Sequence, residues 1–399
     1  MKDFEINALN NCAKCSICVD NCPVTKVNPE FPGPKQLATD WFRIAQGEEV
    51  KPSWTVDYCN NCKSCDSACP SGILLAGINQ LSKNKLPKKK IAPREFIFSN
   101  PARLGKLINI LPTVSNFFMT LSPVRVIMEK IIGISAKAPM PVYSTKTFSQ
   151  LFRHYKQAID IKLPVKELVY YPGCYVEYNN PETGISLVRI LNKLNYKVVV
   201  PEFRCCGQPA ISNSRLQEAT ANGKYNLRKM EEYINKGTPL IFTCPSCLMT
   251  FKEEYRNILE IGESKQINEL LWDAGQFLLQ NENFRSLPLA QNIPVNKFAY
   301  HQPCHLKASG LGTPSLELLR NIGYQVVDMG AGCCGISGSY GLKAEKQWIA
   351  QEIGKNIADA LAVFQAEGVI TECGMCAVQI KHLNNLPVFH PIDLLVKNI

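Results

Sequence analysis

The chain has 399 residues, a formal net charge of +10 and 18 cysteines. That length leaves room for two or three domains, each with its own core. Its first residues carry charges of both signs and no apolar signal segment, which argues against a secreted disulfide scaffold. A cytoplasmic, reducing location is expected, where grouped cysteines hold metal rather than pair.

Residues 1–82 come first. Cys12, Cys15, Cys18 and Cys22, followed by Pro23, spell C-x2-C-x2-C-x3-C-P, and Cys59, Cys62, Cys65, Cys69 and Pro70 spell it again. Two copies of this spacing indicate two [4Fe–4S] clusters, with the fourth cysteine of each run serving the other run's cluster. Cys12, Cys15, Cys18 and Cys69 are therefore assigned to cluster 1, and Cys59, Cys62, Cys65 and Cys22 to cluster 2. Structural zinc would call for four thiolates in two pairs, with no third cysteine at the same spacing. An α+β ferredoxin-like module is expected here. A 36-residue insert, Pro23–Tyr58, separates the runs. It holds a turn-rich stretch, Asn28–Lys35, and then a helix around Gln36–Gln46.

Residues 83–165 contain no cysteine. Between Lys83 and Lys106 eight basic residues (Lys83, Lys85, Lys88, Lys89, Lys90, Arg94, Arg103, Lys106) face one acid, Glu95. Such a run fits an anionic membrane surface or a solvated loop; without a helix-turn-helix or aromatic-interleaved pattern, nucleic acid is not supported. Leu107–Val124 is uncharged, but Pro112 and Pro123 interrupt it, and Thr113, Ser115, Asn116, Thr120 and Ser122 make it too polar to span a bilayer. Two shorter helices are expected, with Ile108 and Leu111, then Val124, Ile127 and Ile131, on their apolar sides. They either lie on a membrane surface or cover a neighbouring domain.

The remainder repeats itself. Cys174, Cys205-Cys206-Gly207 and Cys244-Pro245-Ser246-Cys247 recur as Cys304, Cys333-Cys334-Gly335 and Cys373-Gly374-Met375-Cys376, offset by 128 to 130 residues. The repeats are placed at 166–262 and 297–399, with a connector at 263–296. Strands are expected at Leu168–Tyr171, Val198–Val200, Leu240–Phe242, Phe298–Tyr300, Val326–Val327 and Val369–Ile370. Helices are expected at Thr183–Leu194, Leu216–Ile234, Ser315–Ile322 and Lys343–Phe364. Strands alternating with helices make parallel α/β units, whose ligands gather beyond the strands' carboxyl ends, where every cysteine group falls.

Each repeat thus offers five thiolates: Cys174, Cys205, Cys206, Cys244 and Cys247 in the first CCG site, and Cys304, Cys333, Cys334, Cys373 and Cys376 in the second. Four suffice for a cube. The fifth is either an extra ligand or a spare thiol for redox work. His305, next to Cys304, is the candidate for tuning a cluster, whereas His301 reads as a satisfied structural histidine. No phosphate-binding or flavin fingerprint is found, so hydride chemistry is left to another protein.

This layout resembles the C-subunit family of bacterial anaerobic glycerol-3-phosphate dehydrogenases. The resemblance runs through Asn11-Cys12 to Pro23-Val24, Asn28-Pro29 with Pro32–Gln36, Cys59 to Ser71, Gly173-Cys174 and Tyr178-Asn179 with Pro181. It continues through Cys205–Gly207, Pro303-Cys304-His305, Leu316–Arg320, Cys333–Gly335, Tyr340-Gly341 and His390-Pro391. Its relatives include the glycolate oxidase iron–sulfur subunit and the CCG subunits of heterodisulfide reductase. The resemblance implies an electron-transfer subunit, non-catalytic alone and peripheral on the inner face of the cytoplasmic membrane. A flavin-containing dehydrogenase subunit and membrane quinone are the implied partners. It implies one or two further, non-cubane clusters in the CCG repeats. A glycolate or lactate oxidase subunit, or a catalytic thiol–disulfide reductase like heterodisulfide reductase, is the alternative.

Overall fold

Prolines set the helix starts in the first third of the chain: Pro23–Val27, Pro34–Ala45, Pro93–Ser99, Pro101–Ile108 and Pro112–Thr120 each open on one. There its fixed φ is an advantage and its missing N–H costs nothing. The computed structural model describes residues 8–50, 53–85, 92–157, 165–262, 265–287 and 297–398. Lys88, Lys89 and Lys90 of the basic run and most of the connector's second half lie outside them.

The described part of residues 1–82 holds helices and one 3-10 turn, Trp54–Tyr58, and no strand. The α+β form expected there is replaced by a helical one, and the insert explains why. Its helix Pro34–Ala45 lies on Leu75–Lys85. Ala38 and Trp41 are buried there with Ile73, Leu75 and Ile78, so helices brace the cysteine loops where hairpins would otherwise do so.

Each repeat builds a four-stranded parallel sheet. The first contains β1 (Lys166–Tyr171), β2 (Tyr196–Val199), β3 (Leu240–Phe242) and β4 (Leu271–Asp273), in the order β2-β1-β3-β4. The second contains β5 (Lys297–Tyr300), β6 (Gln325–Asp328), β7 (Gly368–Ile370) and β8 (Val388–Phe389), in the order β6-β5-β7-β8. All six strands expected from sequence are present. β4 falls in the stretch expected as a connector, which the structure joins to the first sheet, and β8, of two residues, is too short to announce itself by periodicity. The long expected helices are also there, at Pro181–Lys193, Leu216–Asn235, Pro314–Asn321 and Gln347–Phe364.

The repeats embrace reciprocally. Helix Pro181–Lys193 of the first lies on Pro391–Leu395 of the second, and Pro314–Asn321 of the second lies on Ala274–Gln280 of the first. One apolar core runs through both, from Leu168, Leu187 and Ile241 to Phe298, Leu318 and Leu395.

In the segment before the repeats, three helices stand where two were expected, Pro101–Ile108, Pro112–Thr120 and Ser122–Ile132, with Pro93–Ser99 ahead of them and Phe148–His154 after. One side is docked. Gly105 faces the Tyr178 ring, Asn109 donates to the Ser144 carbonyl at 2.9 Å, and Arg94 pairs with Glu345 at 2.6 Å. The other side leaves Leu107, Ile110, Leu111, Val114, Phe117, Phe118, Ile127 and Ile131 exposed. The docked side covers neighbouring parts of the protein, as one of the two readings expected. The basic run is also divided: Lys83 is buried and paired with Asp57 at 3.0 Å. No helix among the described residues is long and apolar enough to cross a membrane.

Candidate metal centres

The ferredoxin-type runs share a backbone device. Lys14 and Ser16 flank Cys15, Asn61 and Lys63 flank Cys62, and all four have positive φ, between 55° and 64°. Two left-handed residues around the central cysteine coil each loop back on itself, turning successive sulfurs inward. Cys12, Cys15, Cys18 and Cys69 line one small cavity; Cys22, Cys59, Cys62 and Cys65 line another. The structure thus brings the fourth cysteine of each run to the other run's three. The two sets differ in depth. Cys15 is exposed, with Cys12 and Cys69 partly so, whereas all four of the second set are buried. Burial pushes the Cys59 thiol up to about 12.

In each repeat the cysteines follow the ends of three adjacent strands, β1, β2 and β3 or β5, β6 and β7, on either side of the point where strand order reverses. Gly207 and Gly335 turn the chain at φ +100° and +86°, and a Cβ on Gly335 would sit 2.2 Å from the Ala350 carbonyl. Both members of each doublet consequently join one row of neighbouring thiols. In the first repeat the side-chain contacts run Cys174–Cys205–Cys206–Cys247–Cys244. In the second they run Cys304–Cys333–Cys334–Cys376–Cys373, with Cys334 and Cys376 sulfurs 3.2 Å apart. Hydrogen bonds from its two thiol neighbours hold the middle member, Cys206 or Cys334, well below the ordinary thiol range despite burial. Nine of these ten cysteines line one cavity of about 210 Å³ between the repeats. Cys205 instead faces a second cavity of about 550 Å³, bounded by Cys174, Lys106, Asn109 and Ile110.

The modules meet at the metal centres. Asn60 Nδ2 lies 3.9 Å from the Cys333 sulfur. Cys62 itself contacts Cys333, which with burial holds its thiol well above the ordinary range. Ser337 donates its hydroxyl to the Asn60 carbonyl.

His305 bridges three parts of the chain. Its Nε2 donates to the Asn61 carbonyl at 2.9 Å, so its Nδ1 is left to accept from Ser246 Oγ at 2.9 Å. Burial keeps the ring neutral. Both nitrogens are committed to protein partners, so neither is free to bond a cluster sulfur. His301 shows the opposite. It is 2 % exposed, burial lowers it to about 4, and its Nε2 has no hydrogen-bond partner. The expectation of a satisfied structural histidine does not hold for that nitrogen. Sequence reasoning also passed over Glu372, which lines the shared cavity and accepts from Tyr300 at 2.8 Å. Burial and nearby Asp273 push its carboxyl up to about 8.

All 18 cysteines are free of disulfides. They stand in four sets, two of four and two of five, with soft sulfur donors packed together. That donor chemistry fits iron–sulfur groups.

A family model for a 4Fe-4S dicluster domain matches residues 8–73, and one for the cysteine-rich CCG domain matches twice, at 168–252 and 298–381. The chain is 32% identical over 395 residues to the C-subunit of the anaerobic glycerol-3-phosphate dehydrogenase of Escherichia coli, covering 98% of each chain. It is 23% identical to the glycolate oxidase iron-sulfur subunit of the same organism, over 97% of this chain and 93% of that one. With the D-subunit of the dihydromethanophenazine:CoB–CoM heterodisulfide reductase of Methanosarcina barkeri it shares 24% identity, over 93% and 88%. With a 4Fe-4S dicluster domain, two CCG repeats and likeness along its length, the chain belongs to the C-subunit family of anaerobic glycerol-3-phosphate dehydrogenases.

Proposed function

We propose that this chain is the electron-transfer iron–sulfur subunit of an anaerobic glycerol-3-phosphate dehydrogenase complex. It takes electrons from a flavin-containing catalytic subunit and passes them to membrane quinone. Iron–sulfur clusters supply one-electron transfer, and hydride removal from an alcohol falls to the partner's organic cofactor.

One observation carries this reading: the four cysteine sets stand in series. Cys12, Cys15, Cys18 and Cys69 would hold the outermost cluster, nearest solvent. Cys18 and Cys65 share one apolar cluster, which joins that set to Cys22, Cys59, Cys62 and Cys65. Cys62 touches Cys333 of the second repeat, and that repeat shares a cavity with the first. The first repeat's Cys174 and Cys205 then face a cavity bounded by Lys106 and Ile110, beside the exposed apolar helices. An apolar helix face with nearby lysines suits a peripheral hold on anionic lipid, and the cavity gives a lipid-soluble acceptor a way in.

A second reading, a thiol–disulfide reductase, draws on the shared cavity, where a disulfide would meet sulfurs from both repeats. Anaerobic purification at native expression level, followed by redox titration resolving each cluster by EPR, separates the two. The conduit reading expects a flavoprotein to co-purify and every cluster to be reduced by its substrate before quinone. Clusters reduced only after quinone, or heterodisulfide reduction by the isolated chain, would refute it.

A further inference from the structure

The two repeats copy their cysteines but not the residue three positions before the lone one: Tyr171 in the first, His301 in the second. Tyr171 is self-sufficient. Its hydroxyl donates to the Arg204 carbonyl at 2.8 Å, and its ring packs against Phe203, Phe242 and Phe251. His301 is held just as firmly at the backbone, where its N–H donates to the Ile370 carbonyl at 2.9 Å.

Its ring is placed differently. A ring nitrogen of His301 and the sulfurs of Cys334 and Cys376 all lie within 4.8 Å of one another. Nε2 is buried without a hydrogen-bond partner, a costly condition for a polar atom. Donors on one tetrahedral metal ion, at about 2.3 Å for sulfur and about 2.0 Å for nitrogen, are mutually about 3.5–3.8 Å apart. A nitrogen and two sulfurs gathered this closely suit a single metal position better than they suit packing alone. The arrangement is confined to one repeat, because the tyrosine at the equivalent position already spends its polar atom on the backbone.

We propose that His301 is a ligand of the second cysteine-rich site, supplying an imidazole nitrogen to the iron held by Cys334 and Cys376. The first site is then all thiolate and the second is mixed. A neutral nitrogen leaves less negative charge on the iron than another thiolate would, which raises the reduction potential of the second site above that of the first. This rests on reading the ten cysteines as iron–sulfur ligands.

The test uses the full chain, purified anaerobically in its complex and labelled with ¹⁵N-histidine. Pulsed EPR of the second site is expected to show coupling to a histidine nitrogen. The coupling should vanish in His301→Tyr, which copies the first repeat, and in His301→Gln, which keeps an N–H donor but no imidazole. In both variants the second site's potential should fall while the first repeat and the ferredoxin-type sets keep their iron. A wild-type protein with full iron content and no histidine coupling overturns the proposal. So does a His301→Gln variant with an unchanged potential, since hydrogen bonding would then account for it. Iron and sulfide sufficient only for the two ferredoxin-type clusters would overturn the underlying reading as well, and iron analysis tells that failure from the others.

Discussion

Lys63 and Glu254 form an ion pair of 2.6 Å with both side chains inside the protein, 3% and 1% exposed. Lys63 follows Cys62, and Glu254 belongs to the first repeat, so the pair ties the ferredoxin-type module to the CCG domain. Burial opposes the lysine's charge, but Glu254, with Asp66 and Glu253, more than offsets it and holds its pKa above the ordinary lysine range. Lys63→Met would leave Glu254 buried and unpaired. A loss of about 3–5 kcal/mol is expected from chemical denaturation. The double change Lys63→Met with Glu254→Leu should recover part of it, because the charge of Glu254 is gone while buried Asp66, 3.9 Å from Lys63, still loses its partner. Equal losses in the single and double variants would show that the pair does not couple the modules.

Gly374 and Tyr175 make a second joint, this one between the repeats. A Cβ on Gly374 would lie 2.3 Å from the Tyr175 ring. Gly374→Ala should cost about 1–3 kcal/mol by overpacking. With Tyr175→Ala in the background, the same change should cost less, since the obstructing ring is gone. Additive effects in a double-mutant cycle would argue against this contact.

Asp273 caps the helix Ala274–Gln280, accepting from the Gln276 N–H at 3.1 Å. Burial nevertheless raises its carboxyl to about 6, against the backbone hydrogen bonds that favour the anion. The folded value exceeds the unfolded one. Its contribution is therefore full below the unfolded pKa and is lost as pH rises through about 6. Asp273→Asn keeps a good cap and removes the ionisation. The variant should match the wild type near pH 4 and exceed it by about 2 kcal/mol at pH 8. A pH-independent difference in unfolding free energy would refute the account.

The exposed helix face makes a prediction about lipid. Deleting Leu107–Ile134 is too blunt a test, because it removes Arg125, whose guanidinium holds the Ser135 and Ala138 carbonyls at 2.6 and 2.7 Å. Ile134 in the core would go too. Ile110→Glu with Phe117→Glu changes only exposed positions. Binding to anionic vesicles should fall at least roughly tenfold while iron content stays constant. Undiminished flotation with vesicles would exclude this face as the membrane contact.

Much of the site was legible in the chain because iron–sulfur loops are local. Cys12 to Cys22 and Cys59 to Cys69 carry their spacing within a few residues, and the period of about 129 residues exposed both CCG sets. His301 and His305 were harder. Each sits near Cys304, and only the packed structure shows that Ser246 and Asn61 occupy His305 while an Nε2 of His301 goes unpartnered. Part of the basic run was hidden for a similar reason: Lys83 and Arg94 pair with Asp57 and Glu345, distant in sequence.

The amino-acid order by itself determined how many sulfur donors there are, how they are grouped, and that parallel strands end beside them. These follow from spacing and periodicity, which act over short stretches of chain. The tertiary structure alone decided that Cys62 meets Cys333, that nine cysteines of two repeats line one cavity, and that the first repeat faces the apolar helices. Contacts across such separations arise where buried faces and charges find partners, and no local pattern encodes which partner is met.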